Sequence, residues 1–270
     1  MTVANALSFD VEEWFHVRSL KRAVESSGRR YESLVCEQTR KVLAILDESN
    51  VKATFFILGQ VAQEHPELAT EIRKRGHEVG SHGFSHRLLS EQTPEEFEAD
   101  AAKSLTVIEG ACKVKPSGFR APNFSLTGDT LWAFGVLKKL GFSYDSSVYS
   151  THLLHKKPVA CPPQPYRTEE GLLEFPGSTT TILGLRIPYG GGVFLRTQPY
   201  SFTRKSIQKA NENGNPALIY IHPWELDPKH PKIPCSLKAR LIHYARLERT
   251  EDVLRRLLAD FEFRPLGEVI

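Results

Sequence analysis

The chain has 270 residues, 40% hydrophobic and 25% charged, which is ordinary globular usage with enough length to bury a core without disulfide staples. A net charge of +3, with Lys and Arg spread among Asp and Glu, is too mild to argue for a nucleic-acid partner. Cys36, Cys112, Cys161 and Cys235 form no Cys-x-x-Cys pair, no apolar run nears the roughly 20 residues of a membrane span, and no signal-peptide pattern opens the chain, so free thiols in the cytoplasm are the expectation.

In chain order, Ala4–Phe9 is a short apolar run that stops at Asp10. Val35–Leu46 has helical spacing, and Lys52–Leu58 is β-branched and aromatic, hence strand-like. Pro66–Arg75 reads as a helix stopped by Gly76, and Glu78–Ser81 as the next strand. Thr93-Pro94-Glu95-Glu96 is a capping box with Pro at the first helical position, opening a helix to about Glu109. Pro116–Phe119 leads into Arg120, and Thr127 is expected to cap a helix that runs to Leu140 and closes at Gly141. Phe142–Tyr144 ends at Asp145, Leu172–Phe175 ends at Pro176, Thr203–Asn213 is helical, and Ala217–Ile221 ends at His222. Ser236–Phe261 carries one or two helices with a restart at Thr250. Thr151–Arg167 and Tyr189–Val193 read as loops.

Strand and helix alternate, which argues a parallel sheet with helices outside. The fold class is α/β, and an irregular (β/α) barrel of about seven parallel strands competes with an open doubly wound sheet. No Gly-x-Gly-x-x-Gly or P-loop follows the first strand, which counts against a nucleotide fold. Reactive side chains recur where strands end: Asp10 and Glu12, then His82, Arg120, Asp145 and His222, with His86 four residues beyond His82. On a parallel barrel those ends share one face. His82 and His86 with one carboxylate give the three protein ligands of a catalytic zinc site, leaving a second carboxylate as general base and His222 as the acid from another strand.

These residues, in this order, resemble the polysaccharide deacetylase family, the NodB-homology or carbohydrate esterase 4 group. The likeness rests on Ser8-Phe9-Asp10-Val11-Glu12-Glu13-Trp14, His82-x-x-x-His86, Arg120-Ala121-Pro122, Asp145-Ser146-Ser147 and Leu218-Ile219-Tyr220-Ile221-His222-Pro223-Trp224, and spans Ser8 to Glu225. Asp-Val-Glu-Glu-Trp and His-Pro-Trp-Glu look like the branch tied to bacterial surface-polysaccharide and exopolysaccharide loci. The resemblance implies one catalytic domain over 1–270, with a barrel core at about 4–225 and a helical C-terminal extension at about 236–261. It also implies a metal-dependent hydrolase that removes the N-acyl group, most commonly acetyl, from an amino sugar of a bacterial polysaccharide or its precursor. Asp10 is then the general base, Glu12, His82 and His86 the metal ligands, and Arg120 the group that orients Asp10. His222 is the acid, Asp145 tunes it, and the Asn123 amide stands where relatives stabilise the oxyanion. Zinc is the default ion, with cobalt, nickel or iron able to occupy the same donors.

One departure matters: Val11 stands where the family's second Asp is usual, so either Glu12 takes the ligand role or the chain is a weak or inactive homologue that binds glycan. A non-haem iron oxygenase triad is a third reading of two histidines and a carboxylate, and the parallel strand–helix alternation argues against it. Trp14, Phe194 and Tyr149 are expected either as walls for a sugar ring or as core. Glu13 is expected on a solvated face, Trp224 in the core, and the Gly190-Gly191-Gly192 run either as a close approach to a ligand or as a turn.

Overall fold

A computed structural model describes residues 3–270. Its strands are β1 (Asn5–Val11), β2 (Thr54–Ile57), β3 (Glu78–Ser81), β4 (Gly118–Phe119), β5 (Tyr144–Asp145), β6 (Tyr166–Arg167), β7 (Leu173–Glu174), β8 (Thr179–Ile182), β9 (Leu185–Pro188), β10 (Leu218–Ile221) and β11 (Phe263–Arg264). The main sheet runs β10-β1-β2-β3-β4-β5-β7-β6, with β11 also on β1 and only β6 antiparallel. Its seven-strand parallel run from β10 to β7 agrees with the expected count, and the sheet curls into a half-barrel.

Alternation in β1 sets the layers. Leu7, Phe9 and Val11 pack outward with Phe55, Ile57, Ile219 and Ile221 against the helices. Ala6 faces the interior with Phe56, Leu218 and Tyr220, so Ser8 and Asp10 share that inner face by the two-residue period of a strand. Helix Val35–Glu48 covers the outer layer with Val42, Leu43 and Leu46, and helix Thr250–Asp260 adds Val253, Leu254 and Leu257 to the same core.

The predicted capping box is present: Thr93 Oγ1 accepts from Glu96 N at 3.2 Å and Glu96 Oε2 accepts from Thr93 N at 3.0 Å, which starts helix Pro94–Cys112. Thr127 does not cap the next helix, which begins at Trp132; Thr130 Oγ1 instead accepts from Thr127 N and closes a turn there. The triple glycine lies against a strand. A Cβ at Gly190 would lie 2.4 Å from Leu218 O and one at Gly191 2.3 Å from Tyr220 O, so only glycine lets this segment lie against β10. There Tyr220 N donates to Gly190 O at 2.8 Å. The β8–β9 hairpin and helices Lys21–Ser27, Gly59–Glu64 and Gly192–Thr197 are additions to the expected elements.

Candidate active site

Arg120 organises the carboxylate side of the site. Its guanidinium is fully buried and donates to Asp10 Oδ1 at 2.8 Å, Ser8 Oγ at 2.7 Å, Ser146 O at 3.1 Å and Ser146 Oγ at 2.9 Å. Phe56 and Phe124 lie against its plane, 4.3 and 4.9 Å from ring centre to guanidinium carbon. A buried charge is tolerable only when paired and hydrogen-bonded, and the four polar partners meet that need. Asp10 is thereby held in one orientation, with Oδ2 3.9 Å from His222 Nε2.

Glu12, two residues on, emerges on the same inner face, while Val11 between them is core. The side chain that breaks the usual motif therefore points away from the site by strand geometry, and Glu12 occupies the neighbourhood of the histidines. Glu12 Oε2 lies 2.5 Å from His86 Nε2 and 3.9 Å from His82 Nε2, is buried, and accepts no hydrogen bond of good geometry. Burial works against the Glu12 charge, yet His86, His222 and His82 together hold its carboxyl well below the usual range. His82 Nδ1 donates to Arg120 O at 2.8 Å, which fixes the tautomer and leaves Nε2 as a lone pair. Burial lowers the His82 pKa to about 4, so the ring is neutral, as a metal ligand must be. The loop between the histidines is tied down by Asp100, which accepts from Phe84 N at 2.7 Å and Ser85 N at 3.2 Å, and His86 has a left-handed backbone with φ of 53°. Two imidazoles and a buried carboxylate oxygen without a well-formed hydrogen bond fit a zinc-type ion. A second cluster, Cys36, His65 and Glu67, lies at the surface, where Ser33 Oγ already sits 3.0 Å from His65 Nε2.

His222 approaches from β10. Its Nε2 is 3.8 Å from Glu12 Oε1, and its Nδ1 is 2.5 Å from Glu225 Oε1 on the 3₁₀ turn Pro223–Leu226. Glu225 Oε2 accepts from Arg196 Nη1 at 2.7 Å. Arg196 is buried too, and its remaining donors reach the carbonyls of Ala245 (2.8 Å), His243 (3.0 Å) and Ile242. Trp224 stacks on the His222 ring, 5.2 Å between centres. Burial opposes a charged His222, but the Glu225 bond and the Glu225, Glu12 and Asp10 charges raise its pKa to about 9. The imidazolium is thus the resting form at neutral pH, a proton donor aimed at the centre.

Several expectations change. Asp145 does not touch His222; it accepts from Ser147 Oγ at 2.5 Å, and Ser147 Oγ in turn accepts from Ala121 N at 2.7 Å, so Asp145 braces the Arg120 loop. The carboxylate on His222 is Glu225, whose signal was the acid three residues after His222. Trp14 is fully buried among Leu20, Trp224 and Ile233, and Tyr149 is buried with its hydroxyl donating to Ser178 O at 3.1 Å, so both are core rather than sugar walls. Phe194 is half-buried on helix Gly192–Thr197. Glu13 is buried, not solvated: it accepts from Ser33 Oγ and from Leu34 N at 3.2 Å. Asn123 is exposed beside Arg120, with φ of 56°. Arg196 and Asp100 carried no motif that could have marked them; Ser8, Ser146 and Ser147 lie inside quoted motifs that gave no sign of these bonds.

The family profile described as Polysaccharide deacetylase matches residues 31–144, and one described as a domain of unknown function (DUF3473) matches 146–270. A peptidoglycan-N-acetylglucosamine deacetylase of Bacillus cereus is 33% identical over 98 residues, 36% of either chain. A chitooligosaccharide deacetylase of a Bradyrhizobium species is 35% identical over 94 residues, 34% of this chain and 43% of that one. The chain covers about half or less of the length of the curated relatives it matches. Among solved structures, a Mycobacterium smegmatis protein assigned as a polysaccharide deacetylase superposes with a TM-score of 0.63 at 21% identity, over 99% of this chain and 88% of that one. A carbohydrate esterase 4 pseudoenzyme from Bacillus anthracis superposes with 0.53 at 14% identity, over 99% and 65%. The fold is shared by both, and residues 31–144 of this chain match the profile of the polysaccharide deacetylase family.

Proposed function

We propose that this chain is one catalytic unit, a metal-dependent N-deacetylase acting on an N-acylated amino sugar of a bacterial polysaccharide or its precursor. The observation that carries the reading is the convergence of Glu12, His82 and His86 beside Asp10, with His222 Nε2 3.8 Å from Glu12 Oε1 and 3.9 Å from Asp10 Oδ2. Glu12, His82 and His86 hold a divalent ion, zinc by the chemistry of the donors, which when bound supplies Lewis acidity to the reacting carbonyl and to water. Asp10, fixed by Arg120, takes a proton from the attacking water; His222 gives one to the departing nitrogen. The C–N bond breaks, and acetate and a free amino sugar leave. The Asn123 amide is the oxyanion donor in this scheme, and Phe194 a wall for the sugar.

The glycan-binding reading drew its force from Val11, and the placement of Glu12 weakens it, because the ligand is displaced by one residue rather than lost. The test is acetate release from N-acetylglucosamine oligomers by zinc-loaded, chelated and Asp10→Asn protein. The proposal expects turnover only in the loaded wild type, and Asp10→Asn to keep its zinc while losing about 10³-fold or more in kcat. Full activity in Asp10→Asn, or turnover that survives chelation, contradicts it.

A further inference from the structure

The β8–β9 hairpin pairs Ile182 with Leu185, leaving a two-residue turn of Leu183 and Gly184, both at positive φ (49° and 79°). Such a turn favours Asn or Gly at its first position, and a leucine there is strained. It is also 98% exposed, and Ile182 and Leu185 beside it are exposed as well. A side chain that is costly in both backbone and solvation terms, held at the tip of a protrusion, points to a use for that tip.

A second segment meets it. Leu153 and Leu154 on the loop after β5 are exposed, and Leu153, Pro158 and Val159 wall one shallow pocket with Gly184 and Leu185. The hairpin is pinned to this loop: Thr151 Oγ1 donates to Arg186 O at 2.7 Å and Arg186 Nη1 to Cys161 O at 2.8 Å. The two stretches, 146–168 and 177–191, contain no Asp or Glu. They put Lys156 and Lys157 beside one pair of leucines and Arg186 beside the other; Lys157 also pairs with Asp129 at 2.9 Å. Both stretches leave the sheet from the C-terminal ends of β5 and β7, the edge that carries Asp10, His82, Arg120 and His222.

We propose that this rim is a membrane-docking surface: the Ile182–Leu185 tip and Leu153–Leu154 enter the headgroup region of an anionic bilayer, while Lys156, Lys157 and Arg186 meet its phosphates. Aliphatic tips flanked by cations suit a lipid surface, where the long stems bury and the charges stay at the headgroups. A second copy of the chain is the less fitting occupant, because a protruding turn offers little of the roughly 800 Å² per partner of a stable interface. Among the described residues no helix is long and apolar enough to cross a membrane. The inference rests on surface chemistry and stands apart from the deacetylase reading.

The test is sedimentation of the full chain with phosphatidylcholine vesicles, with and without phosphatidylglycerol, at low and high salt. The expected result is binding to the anionic vesicles that salt weakens, and a drop of about tenfold or more in Leu183→Asp with an unchanged Tm. Lys156→Glu with Lys157→Glu lowers binding to the anionic vesicles alone. No binding to anionic vesicles by the wild type at low salt, or undiminished binding by Leu183→Asp, overturns the proposal. So does a concentration-dependent dimer that Leu183→Asp abolishes while vesicle binding is unaffected, since the tip would then serve a second copy.

Discussion

The two sides of the site use one device for two ends. Arg120 with Asp10 and Arg196 with Glu225 are both fully buried guanidinium–carboxylate pairs, at 2.8 and 2.7 Å, and both arginines spend their remaining donors on protein oxygens. Asp10 then faces the centre directly, whereas Glu225 acts through His222. The difference teaches where charge is wanted. A base needs a free carboxylate oxygen at the centre; an acid needs a carboxylate behind the imidazole to keep its proton in place. The first pair spans β1 and the loop after β4. The second ties the turn after β10 to carbonyls of helix Leu237–Tyr244 and its C-cap, so the C-terminal half of the chain completes the acid side.

The comparison can be broken most severely at the arginines. Arg120→Met takes the guanidinium from buried Asp10, and Arg196→Met takes it from buried Glu225, which keeps only His222 as a partner; each should cost about 3–5 kcal/mol of stability, read by denaturant unfolding. Equal losses keep the two pairs equivalent; a loss under about 1 kcal/mol at either would show that pair to be solvated. Next in size, Glu225→Gln keeps the shape and removes the charge behind His222. The kcat for amide substrates should fall about 10- to 100-fold with zinc content unchanged, and the alkaline limb of the pH profile should move to lower pH because the imidazolium has lost its buried counter-charge. That variant should be spared on an activated aryl acetate, whose leaving group needs no proton; an equal loss on both substrates would make Glu225 a general structural support.

The smallest effect lies behind the site. Burial lifts the Asp145 pKa from an ordinary value of about 4 to about 6 beside Glu174, whose own pKa is raised further. The folded chain therefore keeps protons that the unfolded chain releases, and stability falls as pH rises through that window, by about 1 kcal/mol per pH unit at most for one group. Glu174→Gln should flatten the fall between pH 4 and 6 in unfolding titrations; an unchanged slope would show that the pair carries no excess proton.

Much of this was legible in the sequence because strand ends are. Asp10, Glu12, His82, Arg120 and His222 each follow an apolar run, and the parallel sheet brings those ends to one edge. The roles of Arg196, Asp100 and Ser8 were not legible, because their partners lie away in the chain: 29 residues separate Arg196 from Glu225, 16 separate Asp100 from Phe84, and 112 separate Ser8 from Arg120. Trp14 and Tyr149 show the converse error, since an aromatic near a motif reads the same whether it lines a groove or fills a core, and only packing separates the two. Asp145 was misread for its neighbour: a short hydrogen bond to Ser147 gives it a bracing role that no spacing rule announces.

The most direct measurement of the central claim is anomalous diffraction at the zinc edge from crystals grown with the ion. The account predicts a single strong peak within coordinating distance of Glu12 Oε2, His82 Nε2 and His86 Nε2, beside Asp10. No peak there, or one only at Cys36, His65 and Glu67, would contradict it.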